Sequence, residues 1–167
     1  MATLDPIILE KYAIAATASY TNQPVPLGME ILTTFESPDN TGLAATAFRD
    51  TTTGQIVISL RGTDDLKDLT GADLALALQN LPDQYREAAQ FFKDIQDNYG
   101  NDIVVTGHSL GAALAQLLGA AEGVTAYGYN GPGVLEILQT DPYFAQQFAN
   151  VDPASFSNIW RFRVFSG

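Results

Sequence analysis

The sequence predicts an α/β fold, a mostly parallel sheet with helices on both faces and an antiparallel hairpin at one edge. Three observations predict it. After residue 83, helix-like stretches with apolar residues three or four apart alternate with short apolar runs of strand length. Those runs, Ile103-Val104-Val105 above all, are continuous and not alternating, as in strands covered on both faces. Before residue 83, two β-rich runs flank Asp50-Thr51-Thr52-Thr53-Gly54, a turn-forming stretch that joins them as a hairpin.

Asp5-Pro6 reads as a helix start, an N-cap followed by proline at the first helical position. Ile8, Tyr12, Ala15, Ala16 and Tyr20 then share one helical face, and Asn22 to Pro26 ends the segment. Gly42 to Arg49 and Gln55 to Leu60 are the two hairpin strands, with Arg61 to Asp65 a loop. Leu66 to Leu81 reads as short-helix or lid-like material, rich in leucine and punctuated by Gly71 and Pro82. Core packing and a mobile lid are both open readings of those leucines.

Asp83 to Tyr99 is an amphipathic helix, with Tyr85, Ala88, Ala89, Phe92, Ile95 and Tyr99 at helical spacing and Gly100 at its C-terminal cap. Asp102 to Thr106 is a strand, Gly107 to Gly111 a turn, and Leu110 to Ala121 a helix. Val124 to Tyr129 is a strand, Asn130 to Gly133 a loop, and 134–148 a helical stretch. Ile159 to Phe165 closes the sequence as a strand with Trp160, Phe162 and Val164 on one side.

The 167 residues fit one domain. With 19 acidic and 8 basic residues the net charge is −11, which excludes nucleic acid as a partner because nothing could neutralise a run of phosphates. The same charge gives no attraction to an anionic membrane, so any membrane contact rests on apolar side chains. There is no cysteine, which removes disulfides, thiolate catalysis and thiolate zinc sites. Met1 to Pro6 lacks the basic start and long apolar run of a signal peptide. A cytoplasmic location is the plain reading of that start, but export by a route needing no such signal is the preferred expectation.

The chemistry is expected at Gly107-His108-Ser109-Leu110-Gly111, a G-x-S-x-G string between a strand and a helix. A serine on so sharp a turn needs glycines two residues to either side, or strand and helix collide. Its hydroxyl then stands at a helix N-terminus, where backbone N–H groups favour a developing negative charge. Gly111, Ala115 and Gly119, four apart, give that helix a small-residue stripe for close packing on the sheet. His108 is the only histidine, but neighbouring strand residues point to opposite sides, so it is expected to shape the turn and not to act as the base. Asp141 and Asp152 each precede proline and are expected in surface turns. Asp64, Asp65, Asp68 and Asp73, near Lys67, are expected as a solvated, helix-capping loop and not a metal site.

Three stretches together resemble class 3 lipases, which are α/β-hydrolases. They are Val57-Ile58-Ser59-Leu60-Arg61-Gly62-Thr63, Thr106 to Ala115, and Ala126-Tyr127-Gly128-Tyr129-Asn130-Gly131-Pro132-Gly133. Order and spacing match over about residues 10–167. The resemblance implies Ser109 as nucleophile, and Leu110 and Thr63 as oxyanion-hole residues. Gly107, His108 and Gly111 would form the turn, and about Leu66 to Pro82 the lid. It further implies a triad aspartate soon after the last strand and a histidine well downstream, so the chain is expected to be an incomplete lipase domain, inactive alone. The implied substrate is a lipid or phospholipid ester met at a membrane or micelle interface. Phospholipase A1 is preferred over triacylglycerol lipase, the chain being read as bacterial. No cofactor is implied, and an accessory or inhibitory protein is a candidate partner. A soluble short-chain esterase or thioesterase, and a binding module that retains the turn, remain the rival readings.

Overall fold

The structure is a computed structural model, and it describes residues 5–18, 24–62 and 72–163. A six-stranded mixed sheet runs in sequence order, β1 (Met29–Glu36), β2 (Ala44–Asp50), β3 (Ile56–Arg61), β4 (Ile103–His108), β5 (Ala126–Tyr129) and β6 (Ile159–Phe162). The first three strands pair antiparallel and the last four parallel, with β3 common to both sets. Each parallel connection crosses through helix, as a parallel pair requires.

Alternation along the strands separates two cores. Val57, Val104, Tyr127 and Tyr129 join Phe48 and Met29 under α1 (Pro6–Ala18), which contributes Tyr12, Ala15 and Ala16. Ile58, Leu60, Val105 and Ala126 face the other way into a larger core. It is filled by α3 (Leu81–Tyr99) and α4 (Leu110–Glu122) with Val134, Ile137, Phe144 and Phe148 from the later helical stretch. The expected α/β architecture with helices on both faces is what the chain adopts. The helix α2 (Ala72–Gln79) precedes α3 on the larger-core side.

Most elements fall where the sequence places them. Asp5 Oδ1 accepts from the Ile7 amide at 2.9 Å at the start of α1, and Tyr12 stacks on Tyr127 with ring centroids 4.5 Å apart. Ile8, expected on the buried face, is instead exposed, and Tyr20 lies outside the described residues. Helix α3 begins two residues early, because Pro82 is tolerated in the first turn, where amides have no helical acceptor. Tyr99, the last residue of α3, is exposed. The 134–148 stretch is two helices, α5 (Val134–Thr140) and α6 (Pro142–Gln147). Pro142 disfavours helical geometry at Asp141, whose carboxylate caps the second helix through the Tyr143 amide at 2.9 Å. Asp152 likewise caps a short 3₁₀ turn, Pro153–Asn158, through the Ala154 amide.

Strand β1 is the element without a sequence expectation. Its register shifts between Ile31 and Thr33, so Met29 packs under α1 while Leu32 and Phe35 pack on the opposite core. A bulge of this kind switches which face the apolar side chains take, and it erases the period of two that marks a strand.

Candidate active site

Ser109 occupies the single residue between β4 and α4, with φ 58 and ψ −121. Positive φ in a residue with a Cβ is a strained backbone, held only where surrounding contacts over-determine it. The Ser109 amide donates to Tyr129 O at 2.9 Å, and the Ser109 carbonyl accepts from the Ala112 amide at 3.1 Å.

The turn closes only because its neighbours are glycine. A Cβ at Gly107 would lie 2.2 Å from Gly111 O, a collision of strand with helix. At Gly111 it would lie 2.0 Å from Leu60 O, and at Gly131 2.3 Å from Ser109 O. Farther along α4, a Cβ at Gly119 would meet Ala126 Cβ at 2.6 Å, so the Gly111, Ala115 and Gly119 stripe lies against the sheet. Ser109 itself is 9% exposed. It stands at the C-terminal edge of the parallel strands and at the N-terminus of α4, where the first helical amides have no partner inside the helix.

Leu110 opens α4, and a Cβ on Gly62 would meet the Leu110 side chain at 2.9 Å, so the end of β3 runs directly against it. Thr63, the next residue, lies outside the described residues. So do Asp64, Asp65, Lys67, Asp68 and the first part of the predicted lid, residues 66–71. Of the lid's described leucines, Leu81 is in the larger core, Leu78 packs on its border, and Leu76 is exposed. No cluster of metal-ligating side chains occurs among the described residues.

His108 falls on the α1 side of the sheet. It is two residues past Thr106, whose hydroxyl donates to Tyr12 O at 3.2 Å and Tyr127 O at 3.0 Å. Burial lowers its pKa below the ordinary 6.5, so the imidazole is neutral at pH 7.

The loop after β5 has a larger part than its sequence suggests. Asn130, at φ 53, sends its amide to Phe162 O at 2.8 Å. Arg161 Nε donates to Gly131 O at 2.9 Å, and Gln116 Nε2 donates to Pro132 O at 3.0 Å. The only sequence signal for this arrangement was a lone amide on the apolar helix α4.

A family match decides the kinship. The description "Tle-like phospholipase domain" fits residues 16–160. The chain belongs to this family. Among curated relatives of this Tle-like phospholipase domain, an extracellular phospholipase A1 of Serratia liquefaciens is 33% identical over 100 residues, 57% of this chain and 31% of that protein. A putative lipase, ATG15, of Candida albicans is 38% identical over 81 residues, 47% of this chain and 13% of that protein. The chain thus spans less than a third of the length of either relative. Among solved structures, lipase II of Rhizopus niveus superposes with TM-score 0.54 at 21% identity, over 94% of this chain and 70% of that one. The Lip2 lipase of Yarrowia lipolytica gives 0.55 at 20% identity, over 78% and 62%. At those identities the likeness establishes a shared fold, the α/β-hydrolase architecture of fungal lipases. The class 3 lipase resemblance is thereby shown at the level of the family.

Proposed function

We propose that this chain carries the nucleophile of a serine hydrolase that cleaves carboxylic esters of lipids, with a phospholipid the preferred substrate. The observation that carries the proposal is the backbone of Ser109, strained at the junction of a parallel strand and a helix N-terminus. Such strain gathers at functional sites, and a helix N-terminus leaves amides that no helical carbonyl satisfies, which favours a developing negative charge there. Kinship with a phospholipase family and with an extracellular phospholipase A1 supports the choice of lipid.

In the proposed reaction, Ser109 Oγ attacks the ester carbonyl while a histidine takes its proton. The carbonyl oxygen becomes an oxyanion held by the amide of Leu110 and by Thr63. The C–O bond to the alcohol then breaks and the alcohol leaves with the proton from the histidine. An acyl group remains on Ser109, and water releases it by the same steps in reverse. His108 is not the base in this scheme, because it lies two residues beyond Thr106 on the α1 face of the sheet. The base and its orienting aspartate are proposed to lie outside these 167 residues, which leaves this piece inactive alone. The chemistry needs no cofactor. Besides the lipid interface, the proposed partners include an accessory or inhibitory protein that holds the enzyme in check.

The test is active-site labelling of the full-length protein with a fluorophosphonate, freed of any bound inhibitor. Labelling of the wild type and its absence in Ser109→Ala is the expected result. Equal absence of labelling in both rejects the enzyme. Hydrolysis of diacyl phospholipid in mixed micelles is expected to exceed that of short soluble p-nitrophenyl esters. The reverse order rejects the lipid substrate.

A further inference from the structure

We propose that Gln116 is a positioning residue for Ser109, acting through the loop between β5 and α5 and touching no substrate. The inference rests on the proposed role of Ser109 and adds to it a residue on the far side of the helix turn.

Helix α4 is buried from Leu110 to Ala120, and Gln116 is its one polar side chain in that span. At 2% exposure, an amide in such a place is unfavourable unless its hydrogen bonds are made. Gln116 Nε2 makes two, to Ala112 O in its own helix at 3.1 Å and to Pro132 O in the loop at 3.0 Å. Room for it exists because residue 128 is glycine, where a Cβ would come within 2.9 Å of Nε2.

The two carbonyls belong to the two segments that enclose the Ser109 peptide. Ala112 bonds back to the Ser109 carbonyl from the helix side. Gly131, one residue before Pro132, presses on the same carbonyl so closely that a Cβ would be 2.3 Å from it. Gln116 therefore ties the helix turn to the loop across the residue whose φ is 58. Arg161 holds the loop from the other side through Gly131 O. A strained peptide relaxes when one wall of its enclosure gives way. Relaxation here swings both the Ser109 hydroxyl and the Leu110 amide, and a misplacement of about 1 Å can slow a reaction about 100-fold.

The test uses the full-length protein with Gln116→Met, Gln116→Glu and Arg161→Leu. Methionine keeps length and volume but removes the donor, and Arg161 is exposed, so its variant breaks the outer hold without disturbing the core. Hydrogen exchange at the Ser109 amide, normalised to global unfolding, is the first measurement. At least a tenfold acceleration in Gln116→Met, and a smaller one in Arg161→Leu, is expected; unchanged exchange in both overturns the proposal. The second measurement is kinetic. Gln116→Met is expected to lower kcat by about 10- to 100-fold with KM within twofold, whereas a purely structural role would scale activity with the folded fraction. In Gln116→Glu, a carboxyl facing two carbonyls can donate only when protonated, so kcat relative to wild type should rise as pH falls. A flat ratio counts against the strap. If the wild type fails to label or turn over, the proposed function falls, and amide exchange still decides whether Gln116 fixes the Ser109 backbone.

Discussion

Replacing Gly111 with alanine puts one methyl group where α4 lies directly on the main chain of β3. Its ideal Cβ position lies 2.0 Å from Leu60 O and 3.2 Å from Arg61 Cα, while ordinary contact begins at 3.4 Å. The obstacle is the main chain of β3, which cannot rotate aside as a side chain would. Relief requires α4 to lift from the sheet, yet α4 also packs on β4 and β5. Opening a packed interface by about 0.5–1 Å forfeits a quarter to a half of each contact's dispersion energy. Overpacking a core costs about 1–3 kcal/mol where side chains absorb it. Against main chain we expect about 3 kcal/mol or more, even after the roughly 1 kcal/mol that alanine gains over glycine in a helix.

For a chain of this size that is a fall in Tm of about 6–12 °C. Gly54→Ala is the control, since φ is 76 but nothing lies within 4 Å of the new Cβ. It should cost only about 1 kcal/mol of backbone strain. Thermal and urea unfolding, followed by circular dichroism and by Trp160 fluorescence, compare the two. If Gly111→Ala unfolds no more easily than Gly54→Ala, the close approach of α4 to β3 is not the constraint described above.

Three further outcomes are expected. Ser109→Gly should raise stability by about 1 kcal/mol by relieving the positive φ, while abolishing fluorophosphonate labelling; a loss of stability in urea melts would contradict the strain. Asp50 is buried against Lys11 and accepts from the amides of Thr52 and Thr53 at 2.9 and 3.3 Å. Burial raises its pKa, but the Lys11 hydrogen bond and those amides outweigh it, and the net shift is downward. Its stabilisation is therefore complete above the unfolded value near 3.9 and is lost as pH falls through the folded value. Asp50→Asn should lose about 1–3 kcal/mol at pH 7 and flatten the acid limb of the stability curve. At the alkaline end, burial chiefly pushes Tyr12 and Tyr85 up to about 12. Stability should be full below pH 10 and decline towards 12, with tyrosinate absorbance appearing together with unfolding; early, non-cooperative ionisation of all seven tyrosines would refute it.

The helices and parallel strands were legible because their signals are local. Asp5-Pro6 sets a helix start, Tyr85 to Ile95 a period, and Ile103-Val104-Val105 a buried strand within a few residues of sequence. What escaped depends on partners distant in the chain. Strand β1 is defined by its pairing with β2, and its bulge scrambles the alternation that would mark it. The break at Asp141 was half legible, since Asp141-Pro142 is expected in a surface turn although 134–148 reads as one helical stretch. The roles of Gln116 and Arg161 were invisible because their acceptors, the carbonyls of Pro132 and Gly131, are 16 and 30 residues away.

That contrast bears on how the serine turn is held. Gly107 and Gly111 open the path of β4 into α4, and both lie in the motif itself. They permit the turn but do not enforce it, for a short glycine-flanked segment has many other conformations available. Enforcement comes from outside the motif. The carbonyl of Tyr129 receives the Ser109 amide, Gly131 fills the space behind the Ser109 carbonyl, and Gly62 seats against Leu110. These contacts come from the ends of β3 and β5, the strands that flank β4. A G-x-S-x-G string without small residues at those two flanking ends could form a strand-to-helix turn, but the serine in it would be free to relax. A stronger mark of this site is therefore the string together with glycine at 62 and at 131, three separate points of the sequence brought to one residue by the parallel sheet.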